Sequence, residues 1–153
     1  MSEVQTLAGG EGGKHITVSV GKQLFGIPVE RVQDVFMPNS ITRVPLAPPE
    51  IGGVLNLRGR IVTAVDIRGR LGMPGRETQP LAVGIESNGE SYGLLIDEVG
   101  DVLTLVPENF EPLPDTLDAK WRAVSRSVYH LQDSLIVVLD VDRLLSIDAT
   151  SRV

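Results

Sequence analysis

The sequence predicts an all-β protein made of two small, closed barrels that share an apolar interface. Three observations lead there. Apolar residues fall in short β-rich runs separated by Gly, Asn-Gly and Pro turn signals, and the runs recur at constant spacing in the second half of the chain. Strands this short cannot form a large open sheet, so closing each set on itself removes the unpaired edges. The 153 residues, 42% hydrophobic and 22% charged, have the composition of a soluble globular protein. They are numerous enough to bury roughly 70% of the unfolded surface.

Residues 1–14 read as a flexible tail: the start has neither a basic region nor a long apolar core, and Gly9-Gly10-Glu11-Gly12-Gly13 follows no strand. Export is not expected. Ile16–Val20 and Gln23–Ile27 form a hairpin across Gly21-Lys22. In Pro28–Phe36, Val29, Val32 and Val35 or Phe36 recur at helical spacing after a Pro suited to a first turn, which predicts one helical turn running into a strand. A loop over 38–53 precedes two strand-like segments joined at Leu55–Arg60, the stronger being Ile61–Ile67, and Asp66–Gly72 ends the unit. Leu81–Ile85 and Ser91–Ile96 make a second hairpin with Asn88-Gly89 turn chemistry. Leu135–Leu139 is far too short to cross a bilayer as a helix and reads as a buried strand.

The two halves superpose in sequence. Gly26, Ile27, Val29, Val32, Asp34 and Val35 fall on Gly93, Leu94, Ile96, Val99, Asp101 and Val102 at an offset of 67. Val54, Leu57, Ile61, Val62, Ala64, Val65, Asp66 and Leu71 fall on Val128, Leu131, Leu135, Ile136, Val138, Leu139, Asp140 and Leu145 at an offset of 74. The seven additional residues lie between Val102 and Val128, where Pro107, Pro112 and Pro114 mark a loop. The expected domain covers residues 15–150, with the first barrel mainly 25–80 and the second mainly 81–145, terminal strands being open to exchange between them. Units of about 65 residues are marginal alone, so the two are expected to fold together.

Composition narrows the function. The absence of Cys excludes disulfides, zinc-thiolate sites, iron-sulfur clusters and thiol catalysis, and favours a reducing compartment. With only His15 and His130, a multi-His metal site is disfavoured. Neither a metal nor a cofactor is called for. A net charge of -6 argues against nucleic-acid binding and leaves protein partners.

Several residue groups carry chemistry-bearing side chains. Asp97, Glu98 and Asp101 are the densest acids but lack calcium-loop spacing, so a solvated face or partner contact fits them better. Ser125, Ser127, His130 and Asp133 are triad residue types without a nucleophile elbow. A small hydrolase built on these groups is the alternative from another class. Pro45-Leu46-Ala47-Pro48-Pro49 reads as a rigid connector, and Trp121 as core or barrel-cap packing. Arg58 stands out because its repeat counterpart is Gln132: the shared apolar pattern does not require a charge there. Arg favours bidentate contact with carboxylates at interfaces, and an ion pair with Asp34 or Asp66 is the local alternative.

The run Phe25–Val35, with Val44-Pro45, Ile51–Arg68 containing Asn56-Leu57-Arg58-Gly59, Gly93–Val99 and Leu139–Leu145, resembles the CheW family of chemotaxis coupling proteins over nearly everything after the tail. The resemblance implies two SH3-like five-stranded β-barrel subdomains on a shared hydrophobic interface, with one or two short helices. It implies a cytoplasmic, non-enzymatic adaptor, monomeric when isolated and recruited to receptor arrays at the inner membrane without inserting. Such adaptors bridge chemoreceptor cytoplasmic tips to the regulatory domain of a CheA-type histidine kinase. Residues matching Val32, Asp34, Gly53 and Arg58 are, in that family, associated with receptor or kinase coupling. Asp34 stands where many members carry Glu, so that contact differs in reach, and nothing carries over onto 108–126. Service in another CheA-like pathway, for pilus or gliding motility, is the alternative within the class.

Overall fold

The computed structural model describes residues 13–38, 41–42, 45–46, 51–57, 59–75 and 79–146, with Leu57 described by its backbone alone. β1 (Gly13–Val20) and β2 (Gln23–Pro28) form the first hairpin, and a 3-10 turn at Val29–Arg31 leads into β3 (Val32–Phe36). The expected helical turn running into a strand is therefore present. After β4 (Ile41–Thr42) come β5 (Ile51–Leu57), β6 (Arg60–Asp66) and the short helix α1 (Ile67–Leu71). β7 (Leu81–Ser87) and β8 (Glu90–Ile96) meet at Asn88 and Gly89, whose φ values of 54° and 80° are those of the tight turn that Asn-Gly favours. β9 (Glu98–Leu105), a 3-10 turn at Pro107–Asn109, β10 (Phe110–Glu111) and α2 (Ala119–Val124) follow. β11 (Ser125–Leu131), β12 (Ser134–Leu139) and α3 (Val141–Leu145) end the described fold.

These strands make two six-stranded sheets with matching orders. Sheet I runs β3-β7-β8-β6-β5-β4, and sheet II runs β9-β1-β2-β12-β11-β10. Each has five strands of five to eight residues and one of two. Most neighbours are antiparallel, but each sheet is joined through one parallel seam, β6 with β8 in sheet I and β2 with β12 in sheet II. The seams bring together residues far apart in sequence: Ala64 faces Gly93, and Val138 faces Gly26, the very positions that the repeat equates. Hairpin β1–β2 thus completes the sheet of the second half, and hairpin β7–β8 completes the sheet of the first.

Three apolar clusters follow from this arrangement. The largest lies between the sheets and is filled from both, by Phe25, Ile27, Ile85, Leu94, Ile96 and Leu139 among others, with Ile67 and Leu71 from α1 and Leu144 and Leu145 from α3. Each fully buried large aliphatic side chain contributes about 1.5–3 kcal/mol relative to exposure. A smaller cluster inside sheet I joins Phe36 of β3 to Leu55 of β5, although three strands separate them in the sheet order, so the sheet is curled. Leu105, Tyr129, Ile136 and Val138 fill the corresponding interior of sheet II, where Phe110 meets Tyr129 edge-on at 4.9 Å between ring centroids.

Asp66 and Asp140, equated by the repeat, have one job: each accepts a backbone N–H at the start of its helix, Asp66 from Arg68 at 3.0 Å and Asp140 from Arg143 at 3.2 Å. The stretch from 102 to 128, read from its prolines as a loop, also contains β10 and α2. Asp118 caps α2 by accepting the Lys120 N–H at 2.8 Å, and Trp121 tilts against Phe25 at 5.5 Å, half-buried on the central cluster.

The chain crosses between sheets at 29–31 and again at Asp97. Each crossing carries an ion pair. Arg68 of α1 holds Asp97 at 2.6 Å, with both side chains largely sheltered at 13% and 17% exposure. Asp97 also accepts the backbone N–H of Gly21, in the β1–β2 turn, at 2.7 Å. At the other crossing Arg31 meets Asp142 of α3 at 2.8 Å, and Asp142 accepts from Ser87 at 3.1 Å. Hydrogen bonding and attraction from Arg31 hold the Asp142 carboxyl below its ordinary value of 3.8.

Candidate partner-binding site

Val32 and Asp34 lie on β3, an edge strand of sheet I, either side of a break in its register with β7. Val32 packs in part on the central cluster. Asp34 faces Gly84 of β7, and a Cβ at Gly84 would collide with its Oδ1, so a glycine on the neighbouring strand is what admits the carboxylate. Gln33 donates to Glu86 at 2.9 Å, tying the same edge to the end of β7. Beyond Asp34 the side chains keep alternating, with Val35 40% and Met37 66% exposed and Phe36 between them packed inside sheet I.

Gly53 sits on β5 at a bulge opposite Ala64, with φ of +135°. A Cβ there would meet the Thr42 carbonyl oxygen and lie 2.8 Å from Ile41 Cγ2. The residue is therefore dictated by the close passage of β4, a structural reason that stands beside any role in binding. Arg58 lies outside the described residues. Its neighbours are placed: Leu57 pairs with Arg60 to close the β5–β6 hairpin, Gly59 has φ of +86°, and its N–H donates to Asn56 Oδ1 at 2.9 Å. Val32 and Asp34 thus share one edge strand, while Gly53 belongs to a strand on the other side of the curled sheet.

The exposed apolar residues repeat. Val35 on β3 and Val102 on β9, equated by the 67 offset, are 40% and 55% exposed, and both belong to edge strands. Ile61 on β6 and Leu135 on β12, equated by the 74 offset, are 68% and 42% exposed. Residue-by-residue reading missed these pairs because a valine in a strand ordinarily means core. The signal in the sequence was the recurrence of Val35 at Val102; that both strands lie at sheet edges is seen only in the fold.

The other chemistry-bearing groups have structural roles. Asp97 is engaged by Arg68, while Glu98 and Asp101 are exposed on β9. Among the described residues no cluster of three acidic, His or Cys groups could hold a metal. Ser125 donates to the Trp121 carbonyl at 2.6 Å, Ser127 is buried, and His130 is exposed and 3.0 Å from Glu111, so no triad is assembled among the described residues. Pro45 and Leu46 form a turn with Leu46 fully exposed, and the rest of that proline segment lies outside the described residues, as does the tail through Gly12. No helix among the described residues is long and apolar enough to cross a membrane.

Comparison with known proteins agrees with this geometry. Residues 14–149 match the CheW-like domain. The chemotaxis protein CheW of Rhizobium meliloti (strain 1021) is 33% identical over 129 residues, covering 83% of each chain. That of Klebsiella aerogenes is 27% identical over 149 residues, covering 95% of this chain and 90% of the relative. The crystal structure of the scaffolding protein TtCheW from Thermoanaerobacter tengcongensis superposes with a TM-score of 0.79 at 26% identity, covering 91% of this chain and 96% of that one.

Proposed function

Because the chain belongs to the CheW family and is thus a chemotaxis coupling and scaffolding protein, we propose that it works purely by contact in the cytoplasm, joining chemoreceptor cytoplasmic tips to the regulatory domain of a CheA-type histidine kinase. The observation that carries this reading is the pairing of the family match over 14–149 with two edge strands that each expose a valine. One small body then presents two separated surfaces, which suits multivalent assembly. On this reading Val32 and Asp34 present the receptor-facing edge, Gly53 keeps β5 close to β4, and Arg58 pairs with a receptor carboxylate. The test is a pull-down with a purified receptor cytoplasmic fragment and, separately, the kinase regulatory domain. Arg58→Glu should lower receptor capture while kinase capture and the thermal midpoint stay unchanged. Full-strength receptor capture by that variant at moderate salt overturns the role of Arg58, and failure of the unaltered protein to capture either partner overturns the coupling reading.

A further inference from the structure

The repeat creates an ambiguity that apolar patterning cannot resolve. β2 and β8 are equivalent by the 67 offset, and β6 and β12 by the 74 offset. Each hairpin therefore has two similar docking seams: β2 lies beside β12 and β8 beside β6, but β2 beside β6 and β8 beside β12 would present nearly the same aliphatic surfaces. Both native seams are parallel, so the segment leaving each hairpin emerges next to the helix that follows the seam partner. That is where the two ion pairs lie.

Their polarity is opposite. The helix position occupied by Arg68 in the first repeat is occupied by Asp142 in the second. The crossings reverse with them: Arg31 follows β2, and Asp97, within one residue of the equivalent place, follows β8. In the native pairing Arg31 meets Asp142 and Arg68 meets Asp97. In the alternative pairing Asp97 and Glu98 would be carried to Asp142, and Arg31 with its neighbour Glu30 to Arg68, so one attraction becomes a repulsion and the other gives way to mixed charge.

We propose that this reversed polarity is a docking code: the charges on the two crossings and two helices select which hairpin completes which sheet. The inference concerns assembly of the fold and stands whether or not the partner reading above holds.

The code can be erased without removing an ion pair. In Arg31→Asp with Asp142→Arg the native pair re-forms with inverted sign, yet the alternative pairing now also matches: the carboxylate introduced at position 31 would face Arg68, and the guanidinium introduced at position 142 would face Asp97. The chain has no Cys, so disulfide trapping can report the choice. Gln23 donates to the Leu135 carbonyl at 2.9 Å, one step along the β2–β12 seam, and Ile61 is the repeat counterpart of Leu135. With Cys at 23, 61 and 135 in one chain, oxidation early in refolding at low protein concentration yields a 23–135 bond from native docking and a 23–61 bond from the alternative, told apart by peptide mass. The expected result is a rise of about tenfold in the 23–61 to 23–135 ratio for the charge-reversed chain, the change that 1.4 kcal/mol produces. The neutral variant, Arg31→Gln with Asp142→Asn, should give a smaller rise. A merely local ion pair gives the opposite ranking, with the reversed chain like the parent and the neutral one raised, and that ranking overturns the proposal. A ratio unchanged in both variants overturns it as well.

Discussion

Arg68 grips Asp97 at both carboxylate oxygens, 2.6 Å to Oδ2 and 3.4 Å to Oδ1, while that Oδ2 also accepts the Gly21 N–H at 2.7 Å. One carboxylate thereby ties the helix after β6 to the turn of the β1–β2 hairpin in the opposite sheet. The third guanidinium nitrogen donates to the Pro74 carbonyl at 2.7 Å, which fixes the Arg68 side chain further. Because both groups are largely withdrawn from water, removal of either leaves the other poorly compensated.

Arg68→Ala is therefore expected to destabilise the fold by about 2–4 kcal/mol, read as a lowered urea midpoint at unchanged m-value. Arg68→Lys should recover only part of this, because an ammonium cannot reproduce the two-pronged contact. Wild-type stability in the Ala variant would show that the pair is energetically idle.

Gly53 and Asp34 should separate when stability is measured beside partner capture. Gly53→Ala puts a Cβ against the Thr42 carbonyl at a φ that side chains rarely adopt, and should cost at least about 2 kcal/mol. Asp34→Asn keeps the shape of the side chain beside Gly84, so it should cost less stability than Gly53→Ala while lowering receptor capture. Equal losses of stability in the two variants would defeat the distinction.

Acid titration should expose the weaker of the two ion pairs. Arg31 lowers the folded-state pKa of Asp142 by hydrogen bonding and attraction. The stabilisation is thus complete above the unfolded carboxyl value near 3.8 and is lost as pH falls through the lower folded value. The Asp142 side chain is 67% exposed, so the effect should be no more than about 1 kcal/mol. Asp142→Asn should lower stability slightly at pH 7 and make no difference at pH 2. A difference that grows on acidification contradicts the assignment.

A fragment spanning 15–80 should fail to fold cooperatively. It would keep β1 and β2 without β12, and β6 without β8, so both parallel seams would lack one side. Circular dichroism melting should show no sigmoidal transition, whereas a sharp transition with a folded NMR spectrum would refute the expectation.

Much of this architecture could be read from residues because its determinants are local. Asn88-Gly89 prescribes a tight hairpin and Pro28 before Val29–Arg31 opens a turn, whereas Asp66 and Asp140 stood out only as repeat matches and their role as helix caps is seen in the fold. The seam partners were not legible: a repeat states that β2 resembles β8, but resemblance is what makes β6 and β12 interchangeable as neighbours. α2 was hidden for another reason. Six residues behind three prolines carry too little periodicity to reveal a helix, and it is held by the Asp118 cap and by Trp121 lying on Phe25, a contact spanning nearly a hundred positions. At the candidate site, Gly53 was identified by resemblance, while the cause of its identity, the Thr42 carbonyl beside it, is a tertiary fact. Val35 and Val102 show the converse, since their type suggested interior and their place on edge strands puts them outside.

The two parallel seams also imply an order of events in time. The Arg60–Ser91 bond beside the sheet I seam spans 31 residues, and the Gln23–Leu135 bond at the sheet II seam spans 112. Closing the longer loop costs about 1 kcal/mol more chain entropy before any contact repays it. Sheet I should therefore nucleate and sheet II be sealed last, so that in pulsed exchange labelling the amide of Leu94 gains protection before that of Phe25.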